Sequence, residues 1–205
     1  MNKVKYIYMY GLLFFSSFTV FSYICYYTDI NFPHIRVKQE SKEIIQKHYE
    51  NMLPQVSVNL ALGTITLYIF EHVNYNSNDC NFFINFLFWY ILADLFFYTI
   101  HRTLHTKLFY FLHEKHHEYV YTFGMGAIYS SIPEFILGNM LALIMPAYIL
   151  ETPYYFNCFI IIYSTFYTTI ISHGGYIKSN KHLTHHKKRT CNFGLGIMDR
   201  VFNTY

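Results

Sequence analysis

Five apolar stretches divide the chain, at residues 6–27, 54–70, 82–100, 128–150 and 155–172, with polar or charged connections between them. A bilayer core asks for about 20 helical residues rising 1.5 Å each, and these runs reach or approach that length. The first carries no charge. Its length and the lack of a small-x-small cleavage site predict a retained span rather than a removed leader. The second is the weakest, with Gln55, Ser57, Asn59 and Thr64 inside it. Asp94 alone interrupts the third, the fourth holds Glu134 near its start and Pro146 near its end, and the fifth follows the turn residues Glu151, Thr152 and Pro153. The pattern predicts an all-α integral membrane helical bundle of four to five spans. A histidine-rich helical cap completes it, and a boundary near residue 80 separates N-terminal spans from the rest, 81–205.

Charge sets the orientation. Only 13% of residues are charged against 53% hydrophobic and 21% aromatic. Lys and Arg occupy 28–53 (Arg36, Lys38, Lys42, Lys47), 101–127 (Arg102, Lys107, Lys115) and the region after 172, and none falls in 71–81 or 151–153. Cytosolic loops retain Lys and Arg, so the first set of connections is expected on the cytosolic side. The N-terminus, with Lys3 and Lys5, then faces the other way, unless one of the first two stretches is re-entrant. A net charge of +3 with no basic stripe around a nucleic-acid motif sets RNA and DNA binding aside. Cys25, Cys80, Cys158 and Cys191 form no CxxC pair, so neither a disulfide framework nor a zinc ribbon is expected.

The chemistry concentrates in histidine. Nine of the twelve fall in two windows: His101, His105, His113, His116 and His117, then His173, His182, His185 and His186. Residues three and four apart share a helix face, so each group can aim several imidazoles at one centre. Neutral imidazole binds iron, zinc, copper and nickel, and nine donors exceed the four of a structural zinc site. Two metal ions with open positions suit the number better. The spans deliver both windows to one membrane face. Asp94, Tyr98, His101 and His105 form one stripe of a helix, and an aspartate inside a span is costly unless paired or functional. Asp94 is therefore expected to orient a ligating histidine, with a helix-pairing hydrogen bond as the plainer alternative. His34, His48 and His72 stand alone and read as ordinary polar residues. The run Lys187-Lys188-Arg189 suits an acidic electron-donor protein or anionic lipid, though topology alone accounts for it.

These residues resemble a known family. Ala93, Asp94, Tyr98, His101, Arg102 and His105 are similar to the first box of the fatty acid hydroxylase/sterol desaturase superfamily. His113-Glu-Lys-His116-His117 and His182-Leu-Thr-His185-His186 are similar to its later boxes. His173-Gly-Gly-Tyr176 resembles the HSGY element, and Asn192-Phe193-Gly194 with Asp199-Arg200 resembles the closing motif, with Met198 where the family has Trp and Asn203 where it has Gly. Phe123-Gly124-Met125 up to Pro133-Glu134 is most like the C4-methylsterol oxidase and cholesterol 25-hydroxylase branch. The resemblance implies a di-iron catalytic domain over 81–205, in an enzyme of the endoplasmic reticulum. It would use O2 and electrons from cytochrome b5 or an NAD(P)H reductase to hydroxylate or desaturate a lipid drawn from the bilayer, a sterol first. It makes the nine histidines the iron ligands and gives Asn192 a water on the metal. A fatty acyl or sphingolipid hydroxylase is the alternative substrate class. A non-enzymatic membrane metal-binding protein is the alternative function, although a transporter would place its ligands within the spans and not at their ends.

Overall fold

A helix that is apolar on every side has no face for water, and α1 (Met9–Asn31) is of this kind. In the computed structural model, which describes residues 9–73 and 81–205, it is one of five helices long and apolar enough to cross a membrane. The others are α2 (Lys42–Val73), α3 (Phe82–Leu104), α4 (Ile132–Ile149) and α5 (Tyr154–Ser172). Two short helices, α6 (Lys181–Lys188) and α7 (Ile197–Val201), follow. All regular structure among the described residues is helical. Lys3, Lys5 and Cys80 lie outside those residues. Cys25, Cys158 and Cys191 are free thiols.

Two elements differ from the sequence expectation. Helix α2 begins twelve residues before Pro54, because Ile45, Tyr49, Met52 and Val56 make one buried stripe that runs straight through the proline. The connection assigned to 28–53 is thus short, and Lys42 and Lys47 belong to the helix. Helix α4 starts at Ile132 and not at 128: Gly124–Ile128 closes into a 3-10 turn, and the Ser131 hydroxyl accepts from Glu134 N at 3.4 Å as an N-cap.

The bundle has two distinct ends. At one, Glu71 on α2 accepts the Tyr10 backbone N–H at 3.0 Å, Asn157 on α5 donates to the Tyr10 hydroxyl at 3.0 Å, and the Phe82 and Phe156 rings meet at 5.4 Å. At the other end α1, α3 and α5 finish, α2 and α4 begin, and the histidines gather. Helices α1 and α2 approach closely along the way: a Cβ on Gly11 would lie 2.7 Å from the Thr64 carbonyl oxygen. Small residues permit such approach where lipid supplies no hydrophobic drive between helices.

Both α4 and α5 are wound wider than an α-helix for six residues, at Phe135–Met140 and Tyr167–Ser172. Such π-turns are rare and gather at functional sites. One immediately follows Glu134, and the other delivers His173.

Candidate metal centre

All nine histidines of the two windows converge, and they sort into two groups. His101, His105, His113, His117 and His185 form one; His116, His173, His182 and His186 form the other; within each, one nitrogen per ring lies within 4.8 Å of all the rest. The His113–His117 segment feeds both groups, as does α6. In the first group the Nε2 atoms of His101 and His113 stand 3.0 Å apart, and those of His105 and His185 also 3.0 Å. In the second, His173 and His182 stand 2.9 Å apart, and His116 and His186 3.2 Å. His34, His48 and His72 join neither group.

The second nitrogen of most rings is already engaged. Nδ1 of His101 faces the Phe193 carbonyl at 2.7 Å, His185 that of Cys191 at 2.7 Å, His116 that of Tyr129 at 3.3 Å and His186 that of Tyr119 at 3.1 Å. His113 Nδ1 faces Glu134 Oε1 at 2.7 Å. The π-turn aims the Thr168 carbonyl at both the backbone N–H of His173, 3.0 Å, and its Nδ1, 2.9 Å. An acceptor at Nδ1 holds the ring hydrogen there and leaves Nε2 as a lone pair. The pairs His101/His113 and His116/His186 therefore point lone pairs at each other, an arrangement that repels unless a cation lies between. With metal–nitrogen bonds of about 2.0–2.1 Å, two ligands of one ion sit about 3 Å apart, the spacing found. The donor set fits a metal ion in each group.

Burial also keeps the rings neutral, the form that ligates. It pushes His113, His116, His117, His182 and His186 far below the usual imidazole range, and sets His105 at about 3 and His173 and His185 at about 4. Loss of water is the leading cause throughout, and charge on neighbouring imidazoles adds to it at His105, His113, His116 and His182.

Both groups look onto one cavity of about 350 Å³, reached by His101 and His113 from the first group and His116, His173 and His182 from the second. Away from the histidines its wall turns apolar, through Phe97, Ala93 and Trp89 on α3 to Phe14 and Phe18 on α1.

A family model described as fatty acid hydroxylase matches residues 86–204, the region that carries every one of these histidines. The chain belongs to the fatty acid hydroxylase family. Its relatives include the very-long-chain aldehyde decarbonylase GL1-11 of Oryza sativa subsp. indica, 34% identical over 91 residues, and methylsterol monooxygenase 2-1 of Arabidopsis thaliana, 33% identical over 91 residues. Each of those alignments covers 44% of this chain. Fatty acid hydroxylase domain-containing protein 2 of Homo sapiens is 32% identical over 126 residues, 56% of the chain. The chain covers 34%, 33% and 36% of the length of these three relatives. No solved structure matches it significantly.

Around this hydroxylase-family centre the carboxylates of α3 and α4, Asp94 and Glu134, have separate tasks. Asp94 touches no histidine. It accepts the backbone N–H groups of Leu195 (2.6 Å), Ile197 (2.7 Å) and Met198 (2.9 Å), and so pins the C-terminal loop to α3 and caps α7. Asp199 holds the same loop from within, through Phe193 N and Gly194 N, each at 2.8 Å. Because Phe193 and Cys191 supply the carbonyls behind His101 and His185, the loop is part of the centre's support. Glu134 is the carboxylate that faces a histidine of the centre directly, and its Oε2 has no hydrogen-bond partner although it is buried at the cavity wall. The sequence signal for it, an acid inside an apolar run, was the same one that drew attention to Asp94. Asn192 follows Cys191, whose carbonyl faces His185, and has positive φ (55°), held by its backbone N–H to the Thr204 carbonyl at 2.6 Å; its side-chain oxygen is buried without a partner.

A further support comes from outside the matched region. Arg36, after α1, pairs with Asp29 at 2.7 Å and donates to the carbonyls of Thr122 (2.8 Å) and Gly174 (3.3 Å), with Tyr49 and Tyr176 donating to the same aspartate at 2.7 and 2.9 Å. Arg36 and Asp29 are both buried. The pair ties the loop after His117 to the loop after His173.

Proposed function

We propose that this chain is an iron-dependent membrane oxidoreductase that hydroxylates or desaturates a lipid, a sterol first. The observation that carries the reading is the convergence of nine histidine nitrogens, in two groups, beside an apolar cavity. One iron would be held by the five-histidine group and one by the four-histidine group. When bound, iron with O2 supplies the oxidant for an unactivated C–H bond, which no acid or base side chain can break. In hydroxylation one oxygen atom enters the C–H bond and the other leaves as water, with two protons and two electrons from a donor such as cytochrome b5 or an NAD(P)H reductase.

The chain's residues do the rest. At five of the nine rings, His101, His116, His173, His185 and His186, backbone carbonyls fix the hydrogen on Nδ1 so that Nε2 is free to bind. Nine neutral imidazoles bring no negative charge, and Glu134, accepting the Nδ1 hydrogen of His113, strengthens that ligand's donation. The apolar wall excludes water from the reacting carbon. The Lys and Arg of the described residues lie in the connections and short helices toward the histidine end, in the first turns of α2, or, for Arg102, in the last turn of α3. This supports a centre on the cytosolic face; the endoplasmic reticulum is the membrane the reading assigns.

Two names among the relatives bear on the substrate: methylsterol monooxygenase favours the sterol, and very-long-chain aldehyde decarbonylase makes a fatty acyl derivative the second reading. The test is expression in a host lacking sterol oxidation, with lipid profiling and metal analysis of the purified chain. Iron close to two per chain, matching the two groups, and a new oxidised or desaturated lipid are expected. Zinc in place of iron, a haem absorption band, or an unchanged lipid profile each contradicts the proposal.

A further inference from the structure

We propose that residues 193–204 form a re-entrant loop inside the lipid leaflet on the histidine side, where Ile197, Val201 and Phe202 meet acyl chains. The inference goes beyond the oxidoreductase reading and stands apart from it, since it invokes neither metal nor substrate.

Helix α3 supplies the depth scale. Counted from Phe82, the about 20 residues that cross a bilayer core end near His101, and the first cation of the helix, Arg102, follows there exposed. Tyr98 precedes Arg102 by four residues and Asp94 by eight, which correspond to about 6 and 12 Å of helix. The C-terminal loop is bonded at those levels. Its Phe193 carbonyl faces His101 Nδ1 at 2.7 Å, and its Leu195, Ile197 and Met198 N–H groups meet Asp94. Farther on, the Phe202 ring stacks on Tyr98 at 5.1 Å, and the Thr204 hydroxyl donates to the Tyr98 hydroxyl oxygen at 3.3 Å. The loop thus descends along α3 from His101 to Asp94, and α7 carries it back up.

Backbone at that depth has no water to turn to, so its polar groups need partners within the protein. Asp94 and Asp199 accept the N–H groups of Phe193, Gly194, Leu195, Ile197 and Met198, and the Leu195 carbonyl accepts the Tyr90 hydroxyl at 3.2 Å. A carboxylate within a span is costly, and so is a row of unpaired N–H groups. Here each satisfies the other.

The outer face of α7 is apolar. Ile197 and Val201, four residues apart, are 36% and 66% exposed and Phe202 is 51% exposed, whereas Asp199 is buried. Leu95, next to Asp94, is exposed on α3 together with Ile84 and Phe88, so the apolar face of α7 adjoins the side of α3 turned to lipid. Arg200 is the exposed charge of α7, and its guanidinium carbon lies 5.7 Å from the centre of the Tyr205 ring, with Lys181 Nζ at 4.7 Å from the same ring. Long cationic side chains reach back to the headgroups in this way. Since Phe193 also faces His101, the leaflet backs a loop that orients a ring of the five-histidine group.

The test uses full-length chain in phosphatidylcholine vesicles, with Ile197→Trp, Phe202→Trp, and Lys188→Trp on the exposed side of α6 as the water-facing reference. Trp89, the one native tryptophan, is 3% exposed, and its signal in the unmodified chain is subtracted. Bromine on lipid acyl chains quenches indole fluorescence at contact. It is expected to quench both loop positions several-fold more than position 188, with aqueous iodide giving the opposite order. Ile197→Trp should respond to deeper bromination than Phe202→Trp; the reverse overturns the descent. Iodide quenching of the loop positions as strong as at position 188 overturns the proposal. So does shielding from lipid and iodide alike, which would put a second copy or another protein over α7. Should the variants fail to fold, the unmodified chain in vesicles of photoactivatable phosphatidylcholine reads the same contact. Label on peptides covering 197–202 is expected, and its absence while α3 peptides are labelled overturns the proposal.

Discussion

Behind the five-histidine group stand a carboxylate and the C-terminal loop; behind the four-histidine group stand backbone carbonyls, a π-turn and, one layer out, an ion pair. Glu134 accepts from His113, and Asp94 and Asp199 hold the loop whose Phe193 and Cys191 carbonyls orient His101 and His185. His116, His173 and His186 lean on Tyr129, Thr168 and Tyr119, carbonyls in segments that Arg36 ties together through Thr122 and Gly174. Two sites built from the same donor thus differ in what keeps the donors aimed. One is anchored by fixed charge inside the family's matched region. The other depends on residues that precede it. They should be separable by mutation.

The largest effect is expected from the ligands. His185→Ala removes a donor from the five-histidine group and His116→Ala one from the four-histidine group. Each should abolish product and lower iron toward one per chain, with membrane insertion intact by protease mapping. Full activity in either variant contradicts the ligand assignment, and loss of both irons from one substitution contradicts two independent sites. Next comes Arg36→Met, which leaves Asp29 buried without its partner. Breaking such a pair costs roughly 3–5 kcal/mol, so a clear drop in thermal midpoint is expected. If the pair supports the four-histidine site specifically, iron falls in the same pattern as His116→Ala, and Arg36→Lys recovers part of it. Equal loss from both sites would show only general destabilisation.

How much of this could be read from the chain follows from the range of each signal. Histidine spacing is local, and it named all nine residues that converge. Five apolar runs are local too, and five long helices appear. The errors arose where packing decides: the stripe Ile45, Tyr49, Met52 and Val56 carries α2 through Pro54, and the Ser131 cap delays α4. Asp94 and Glu134 carry the same sequence signal, an acid in an apolar run, and only the fold shows that Glu134 meets a histidine while Asp94 meets a loop. Arg36 and Asp29 gave no signal, because the Arg36 contacts with Thr122 and Gly174 span 86 and 138 residues. The π-turns were also silent, since their sequences read as plain apolar helix.

Glu134→Gln sharpens the contrast from the other side. Glutamine keeps an acceptor near His113 Nδ1 but removes the charge. Outer partners of metal ligands are typically worth 10–100-fold in affinity or activity, so iron should leave the five-histidine site at correspondingly lower chelator concentration. The four-histidine site should hold. A chelator titration that shows both sites weakened alike would make Glu134 a support of the whole centre.

The smallest effect is expected from acid, and it should touch both groups alike. In the metal-free chain the imidazoles are held neutral by burial, with His105 at about 3 and His173 and His185 at about 4 against an ordinary 6.5. As pH falls below 6.5, the unfolded chain takes up protons that the folded chain refuses. The unfolded state then binds more protons, so stability decreases with acidification and continues to do so until the folded values are reached. His105 and His185 belong to one group and His173 to the other, so the loss should not distinguish them. Thermal midpoints of chelator-stripped protein, compared between about pH 7 and about pH 5, should fall. Replacing His173 by Phe should reduce the slope by about as much as replacing His185. A midpoint that rises in acid would mean that the rings share protons in the folded state, and the argument from facing lone pairs would then fail in both groups at once.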